Sequence, residues 1–419
     1  MKRLIKMIAW MTAMMMTVGM IPFSTVSAAS PVSLSSAADD VKLLGRTTVG
    51  KDGIEPHSTG AGIAFYSECS GDITLTMTGK PTKFASLYLA IFVDGEMHRV
   101  EFKGQVNRSS TQELVIAEGL SNGKHKIEIV RDTEENYGSY VWESITLNGD
   151  MTPVEDAPLL IEFVGDSLTA GYASYPYTDE TKGLSVEHPA LEAGTKTYAY
   201  LTAQALGADF QSVCASGYGV VKGYNSDGVT VPKLYEYAGY YHNKKDSGKW
   251  AFERTADVVV INLGSNDANR GTTAEQMATE AKAFTEAVRA HNPDAAIVWM
   301  TGVSSAKFDA QFETVVSELG GAEKGYYFVN LPEGSSGGAG HPSIEEHAQT
   351  AQALTQYLKE NVLPAEEETT PTVPSVSVPD TDGGSNNTVL WIVLGAIGAV
   401  LVLAAVAVVL VVVMKKKTA

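Results

Sequence analysis

The sequence predicts an α/β chain: a three-layer αβα domain with a mainly parallel sheet, preceded by an all-β, jelly-roll-like sandwich and followed by one transmembrane helix. Three observations carry this reading. After Met151, apolar strand-like runs alternate with helical segments, the grammar of a parallel sheet covered on both faces. Before it, short alternating runs are broken by turn residues and none has sustained helical periodicity. Near the end, residues 389–414 carry no charge and Lys415, Lys416 and Lys417 follow. A length of 419 residues leaves room for two folded units and accessories.

In chain order, Lys2, Arg3 and Lys6 precede an apolar, Met-rich run and the small residues Val26-Ser27-Ala28, the order of a secretory signal peptide spanning residues 1–28. Residues 41–150 hold the predicted sandwich, with runs such as "GIAFYSE", "DITLTMTG", "QELVIAEG" and "HKIEIVRD". Asp94-Gly95, Asn122-Gly123 and Asn148-Gly149 are its turn signals. Residues 151–363 hold the predicted αβα domain. Its strands are read at "LLIEFVGD", "ADFQSVCAS", "ADVVVINLGSND", "AAIVWMTGV" and "YYFVNLPE", and its last helix opens with Ser343 and Glu346 at capping-box spacing. Residues 364–388, rich in Pro, Ser, Thr and acids, read as a disordered stalk. Residues 389–414 are long enough to span a bilayer, and the lysines of the 415–419 tail belong on the cytoplasmic side. The expected product is a monomer on a bacterial cell surface, anchored through one C-terminal helix.

Composition narrows the chemistry. A net charge of −18 opposes nucleic acid as a partner, because polyanions repel at long range. Cys69 and Cys214, the two cysteines, fall in different predicted domains and read as free buried thiols. No CxxC or HExxH spacing occurs, so neither a metal nor a cofactor is expected. His57, His98, His125 and His347 read as surface or hydrogen-bonded residues.

In open α/β sheets ligands bind beyond the carboxyl ends of the strands. Ser167 follows the first predicted parallel strand, Gly217 the second, Asn266 the third, and His341 lies in the loop after the fifth. Each has a dull reading as a cap, turn or loop residue, but all four converge on one sheet edge. Together they fit acyl transfer. A serine hydroxyl needs a base, a neutral histidine supplies one, and the developing oxyanion needs fixed donors. The N–H groups of Ser167 and Gly217 and the Asn266 amide are the candidate donors. Tyr235, Tyr237, Tyr240, Tyr241 and Trp250, in "YEYAGYYHNKKDSGKW", are read evenly as a sugar-binding surface or as packing.

"GDSL" at 165–168, the glycine of "ASGYG", "GSND" and "HPS" resemble the four blocks of the SGNH, or GDSL, hydrolase superfamily. With the preceding β domain, the chain looks more narrowly like carbohydrate esterase family 2. That resemblance implies removal of O-acetyl groups from polysaccharides such as xylan or glucomannan, with Ser167 as nucleophile, His341 as base, and Gly217 and Asn266 as oxyanion donors. The superfamily usually places aspartate three residues before the histidine, where this chain has Gly338. Some members of the esterase family work as a Ser-His dyad with a backbone carbonyl orienting the imidazole, and Glu333 is the substitute acid to test. Asp166 reads as structural. The alternatives are an SGNH lipase or thioesterase of other acyl specificity, and a catalytically inactive surface glycan-binding protein.

Overall fold

The structure, a computed structural model, describes residues 29–225, 228–239, 248–303, 305–332 and 334–364. The predicted leader, membrane span and tail lie outside the described residues, as does the predicted stalk beyond Pro364. Among the described residues no helix is long and apolar enough to cross a membrane.

The N-terminal region is antiparallel. Its strands are β1 (Ser30–Ser33), β2 (Lys42–Leu44), β3 (Thr47–Gly50), β4 (Gly53–Pro56), β5 (Gly62–Pro81), β6 (Ser86–Val93), β7 (Glu96–Lys103), β8 (Ser110–Arg131), β9 (Gly138–Leu147) and β10 (Met151–Pro153). Two expectations are corrected. "GIAFYSE" and "DITLTMTG" are one strand, β5, and "QELVIAEG" and "HKIEIVRD" are one strand, β8. Asn122-Gly123 is therefore no hairpin turn. It lies where β5 and β8 lose register between Cys69 and Thr74, an irregularity that bends both long strands while they stay paired. Asp94-Gly95 does close a two-residue hairpin between β6 and β7, both residues having positive φ. Because β10 pairs with β5, the antiparallel region also extends past residue 150.

The parallel sheet follows the sequence reading closely. Strands β11 (Leu160–Gly165), β12 (Asp209–Cys214), β13 (Val258–Asn262), β14 (Ala296–Thr301) and β15 (Tyr326–Asn330) lie in the order β12-β11-β13-β14-β15, every pair parallel. The helices are α1 (Ser167–Ala170), α2 (Tyr198–Ala205), α3 (Val231–Leu234), α4 (Ser265–Asn269), α5 (Ala274–His291), α6 (Asp309–Glu318) and α7 (Ile344–Asn361). Strand alternation divides the apolar side chains between two faces. Val164, Val259, Ile261 and Trp299 pack with Phe284 of α5 and Phe312 of α6. Phe163, Val260 and Met300 pack with Tyr198 of α2 and Leu354 of α7. Hence three layers. The predicted capping box of α7 is present, with Ser343 and Glu346 exchanging both bonds.

The antiparallel region and the αβα layers share one compact unit. Arg46 bridges them: its Nη2 donates to Glu162 Oε1 at 2.9 Å, with both side chains 1% exposed. Tyr235 and Gln211 donate to the same carboxylate, and Arg46 stacks on Tyr235, Trp250 and Phe252. Cys69 and Cys214 are both free.

Candidate active site

Gly165 pairs with Cys214 on one side and Asn262 on the other, so the residues just beyond these three emerge together from the central strands. The chain leaves β11 for β12 on one side and then crosses to β13 on the other, which makes this edge a switch point. Local sequence shapes the first turn. A Cβ at Gly165 would sit 1.9 Å from Thr169 Oγ1, so only glycine lets α1 fold back against its strand. Gly171 then ends the helix after one turn in the left-handed conformation, φ 82°. Ser167 is thereby fixed at the head of α1.

His341 Nε2 lies 2.8 Å from Ser167 Oγ, the hydrogen-bond reach that a serine nucleophile and a histidine base would need. The ring is half-buried, and burial holds its pKa below the ordinary histidine value, against the opposing pull of the Ala339 and Gly338 carbonyls. It is therefore neutral and able to accept a proton at pH 7. Nδ1 is buried without a well-formed hydrogen bond. Glu333, the sequence candidate for the acid, lies outside the described residues.

Position 338 has no room for the usual aspartate. A Cβ there would stand 2.6 Å from Val186 and 2.9 Å from the Ala173 Cβ. The Gly338 N–H donates to the Ala173 carbonyl at 2.8 Å, and the His341 N–H returns to the Gly338 carbonyl at 3.0 Å. Between them Ala339 holds a left-handed φ of 54°, a strained state for alanine that the turn imposes. Tyr172 covers the imidazole, with ring centroids 4.8 Å apart. His347 is fully buried behind the site. It bonds Ser174 Oγ and accepts from the Tyr198 N–H, and burial drives its pKa down to about 3. Glu346 accepts from the Ser336 and Ser343 N–H groups, tying the histidine loop to α7.

The candidate oxyanion donors differ from one another. Among the described residues no acceptor pairs with the backbone N–H of Ser167 or Gly217. Both N–H groups of Asn266 are engaged: Nδ2 donates to Asp166 Oδ2 at 2.9 Å and to the Tyr218 carbonyl at 2.8 Å. To reach an oxyanion, the amide must give up one of these bonds. Asp166, read from sequence as structural, is fully buried, accepts from Ser265, Asn266 and the Leu168 N–H, and has its pKa pushed by burial up to about 6.

Sequence reasoning missed Asp267. Fully buried, it accepts from the N–H groups of Val220, Val221 and Lys222 and so shapes the loop carrying Gly217. The signal was present in "GSND", whose last residue repeats the carboxylate-to-backbone motif that orders turns. It also missed Tyr224, whose N–H donates to the Gly217 carbonyl at 2.6 Å and whose side chain is 57% exposed under the Arg270 guanidinium.

The aromatic stretch is a correction. Tyr235 is fully buried, bonded to Glu162 and Asn292, and has no face to offer a substrate. Trp250 packs on Arg46 and lines a cleft of about 710 Å³ at the amino ends of β11 and β12, away from Ser167. Tyr237 bridges to Lys249, whose ammonium lies over its ring. Tyr240 and Tyr241 lie outside the described residues. No metal-holding group of His, Cys, Asp or Glu occurs among the described residues.

Residues 163–363 match the GDSL-like Lipase/Acylhydrolase family. The chain is 26% identical over 254 residues to an acetylxylan esterase / glucomannan deacetylase of Cellvibrio japonicus, covering 57% of this chain and 68% of that protein. A family two carbohydrate esterase from Clostridium thermocellum, solved with cellohexaose, superposes with a TM-score of 0.66 at 25% identity, covering 76% of this chain and 98% of that one. An acetyl xylan esterase from the rumen bacterium Butyrivibrio proteoclasticus shares the fold, with a TM-score of 0.69 at 20% identity over 80% of this chain and 98% of its own.

Proposed function

We propose that this chain, whose residues 163–363 match the GDSL-like Lipase/Acylhydrolase family, is an ester hydrolase of that type that removes acetyl groups from a polysaccharide. The observation that carries the mechanism is the 2.8 Å contact between His341 Nε2 and Ser167 Oγ. Ser167 attacks the acetyl carbonyl while His341 takes its proton. The N–H groups of Ser167 and Gly217 receive the oxyanion, joined by the Asn266 amide as it leaves the Tyr218 carbonyl. His341 then protonates the departing sugar oxygen, and water repeats the sequence on the acyl-enzyme to release acetate. Among the described residues the neutral imidazole is oriented by the Gly338-Ala339 turn and the Tyr172 ring.

Two features favour a carbohydrate. The curated relative acts on acetylated xylan and glucomannan by its name, and the exposed Tyr224 ring beside Gly217 offers an aromatic face of the kind that pyranose C–H groups cover. We read the antiparallel region as a jelly-roll-like sandwich. The basic, apolar N-terminus and the uncharged run before Lys415 support an exported, membrane-anchored protein on a bacterial surface. Protease shaving of intact cells that left the protein uncut would refute that location.

The test is acetate release from acetylated xylan and from an aryl acetate. Ser167→Ala and His341→Ala should each abolish both activities. Tyr224→Ala should weaken the polysaccharide reaction about fivefold, for the loss of about 1 kcal/mol of stacking, and leave the aryl acetate unchanged. Rates should fall steeply from acetate to octanoate esters. Equal rates across chain lengths would point to a lipase or thioesterase, and a folded parent inactive on every acyl ester would point to a glycan-binding protein.

A further inference from the structure

The loop that carries Gly217 is held from two directions. Asp267 fixes its far part from within the αβα layers. Its near part is held by a side chain from the antiparallel region: Glu134, between β8 and β9, accepts the Ser216 N–H at 2.8 Å through Oε2. The Ser216 N–H belongs to the Ala215–Ser216 peptide, so Glu134 pins the plane immediately before the Ser216–Gly217 peptide that carries the Gly217 N–H. On its other side the Gly217 carbonyl is taken by the Tyr224 N–H, and Gly217 itself sits at φ 84°.

Glu134 is in turn rigidly mounted. It is 1% exposed, its N–H donates to Glu192 Oε1, and its carbonyl accepts from Arg131 Nη2 at 2.9 Å. Arg131, fully buried, also donates to the carbonyls of Thr133 and Gly138 and stacks on Tyr140. Burial pushes the carboxyls of both Glu134 and Glu192 upward. Two buried carboxyls side by side cost stability, so this is a poor way to join two layers if joining were all that was required. An apolar contact would do that more cheaply. A carboxylate on a backbone N–H instead fixes one peptide plane.

We propose that Glu134 is a positioning residue for the oxyanion site, holding the Ala215–Ser216 peptide from the antiparallel region so that the peptide after it presents the Gly217 N–H to the developing oxyanion. The proposal rests on the ester-hydrolase mechanism above. It makes the N-terminal region part of the machinery that lowers the barrier. A misplacement of about 1 Å in such a donor costs on the order of 100-fold in rate.

The experiment uses the full chain and an aryl acetate, a substrate that needs no sugar contacts. Glu134→Ala should lower kcat about 10- to 100-fold with KM changed less than about threefold. A boronic acid, whose boron takes the Ser167 oxygen while His341 takes its proton, should lose affinity in parallel, because the tetrahedral adduct needs the same donor. Glu134→Gln keeps an oxygen acceptor for Ser216 and should stay within about fivefold of the parent, whereas Glu134→Asp, which retracts the carboxylate by one methylene, should not. If the alanine variant fails to fold, the Gln and Asp pair decides. Parental kcat in every folded variant overturns the role of Glu134 and leaves the esterase reading intact. A Gln variant as impaired as the alanine variant also overturns positioning, since charge would then be the operative property. An inactive parent overturns the esterase reading and this proposal with it.

Discussion

Among the described residues no carboxylate reaches the His341 ring, so its surroundings supply both its orientation and its pKa. At His341 the two are supplied separately. The Gly338-Ala339 turn and the Tyr172 ring hold the imidazole, while burial keeps it neutral. Activity is lost where the ring is protonated, and a lowered pKa moves that loss downward. The acid limb of kcat/KM should therefore fall below pH 6.5, the unshifted histidine value. Asp166, pushed to about 6, titrates in the same window, and its protonation weakens the bonds it accepts from Asn266 and Ser265. The limb should be steeper than one proton, and a single-proton limb centred above pH 7 would contradict both assignments. Position 338 gives a second prediction. Restoring the aspartate usual in the superfamily, Gly338→Asp, should lower rather than raise activity and reduce Tm, because the site of its Cβ is filled by Val186 and Ala173. A gain in kcat would show that the loop can move aside.

Elements that form from local pattern were legible. The five parallel strands are apolar runs, and α7 announces itself by Ser343 and Glu346 three residues apart. Ser167, Gly217, Asn266 and His341 could be placed at one edge because strand direction alone determines where strand ends lie. What stayed hidden depends on pairing across long separations. Asn122-Gly123 has the chemistry of a turn, yet partner strand β5 keeps its pairing on either side of it, so tertiary pairing overrides the dipeptide. Nothing in the polar stretch "RDTEENYG" marks burial, and only the fold reveals that Arg131, Asp132 and Glu134 are buried. For the aromatic residues of 235–250 the sequence left a sugar-binding surface and packing even, because exposure cannot be read from composition. Tyr235 packs beneath an arginine whose presence is decided far away, at position 46.

At the scale of the whole molecule, the join between the antiparallel region and the αβα layers sets buried ion pairs beside an apolar contact of Phe92 and Val130 with Tyr200, and the buried charges make it unforgiving. Arg46→Met would leave Glu162 buried opposite Gln211 and Tyr235 without its cation, at a cost of about 3–5 kcal/mol. Denaturant unfolding should show a single transition for the parent, followed by both tyrosine fluorescence and far-UV circular dichroism, and a large drop in its midpoint for the variant. Two separate parental transitions would mean that the halves unfold independently. The last helix adds a mechanical consequence. Helix α7 begins directly after His341-Pro342-Ser343 and runs about 27 Å to the final described residues, as 18 residues at 1.5 Å each. A pull on the chain at residue 364 is thus borne first as shear along Leu354 and Leu358 against the sheet, then at buried His347, before any strain reaches the imidazole. If the chain is anchored as proposed, a load on the anchor meets the distal turns of α7 first and the contact between His341 and Ser167 last.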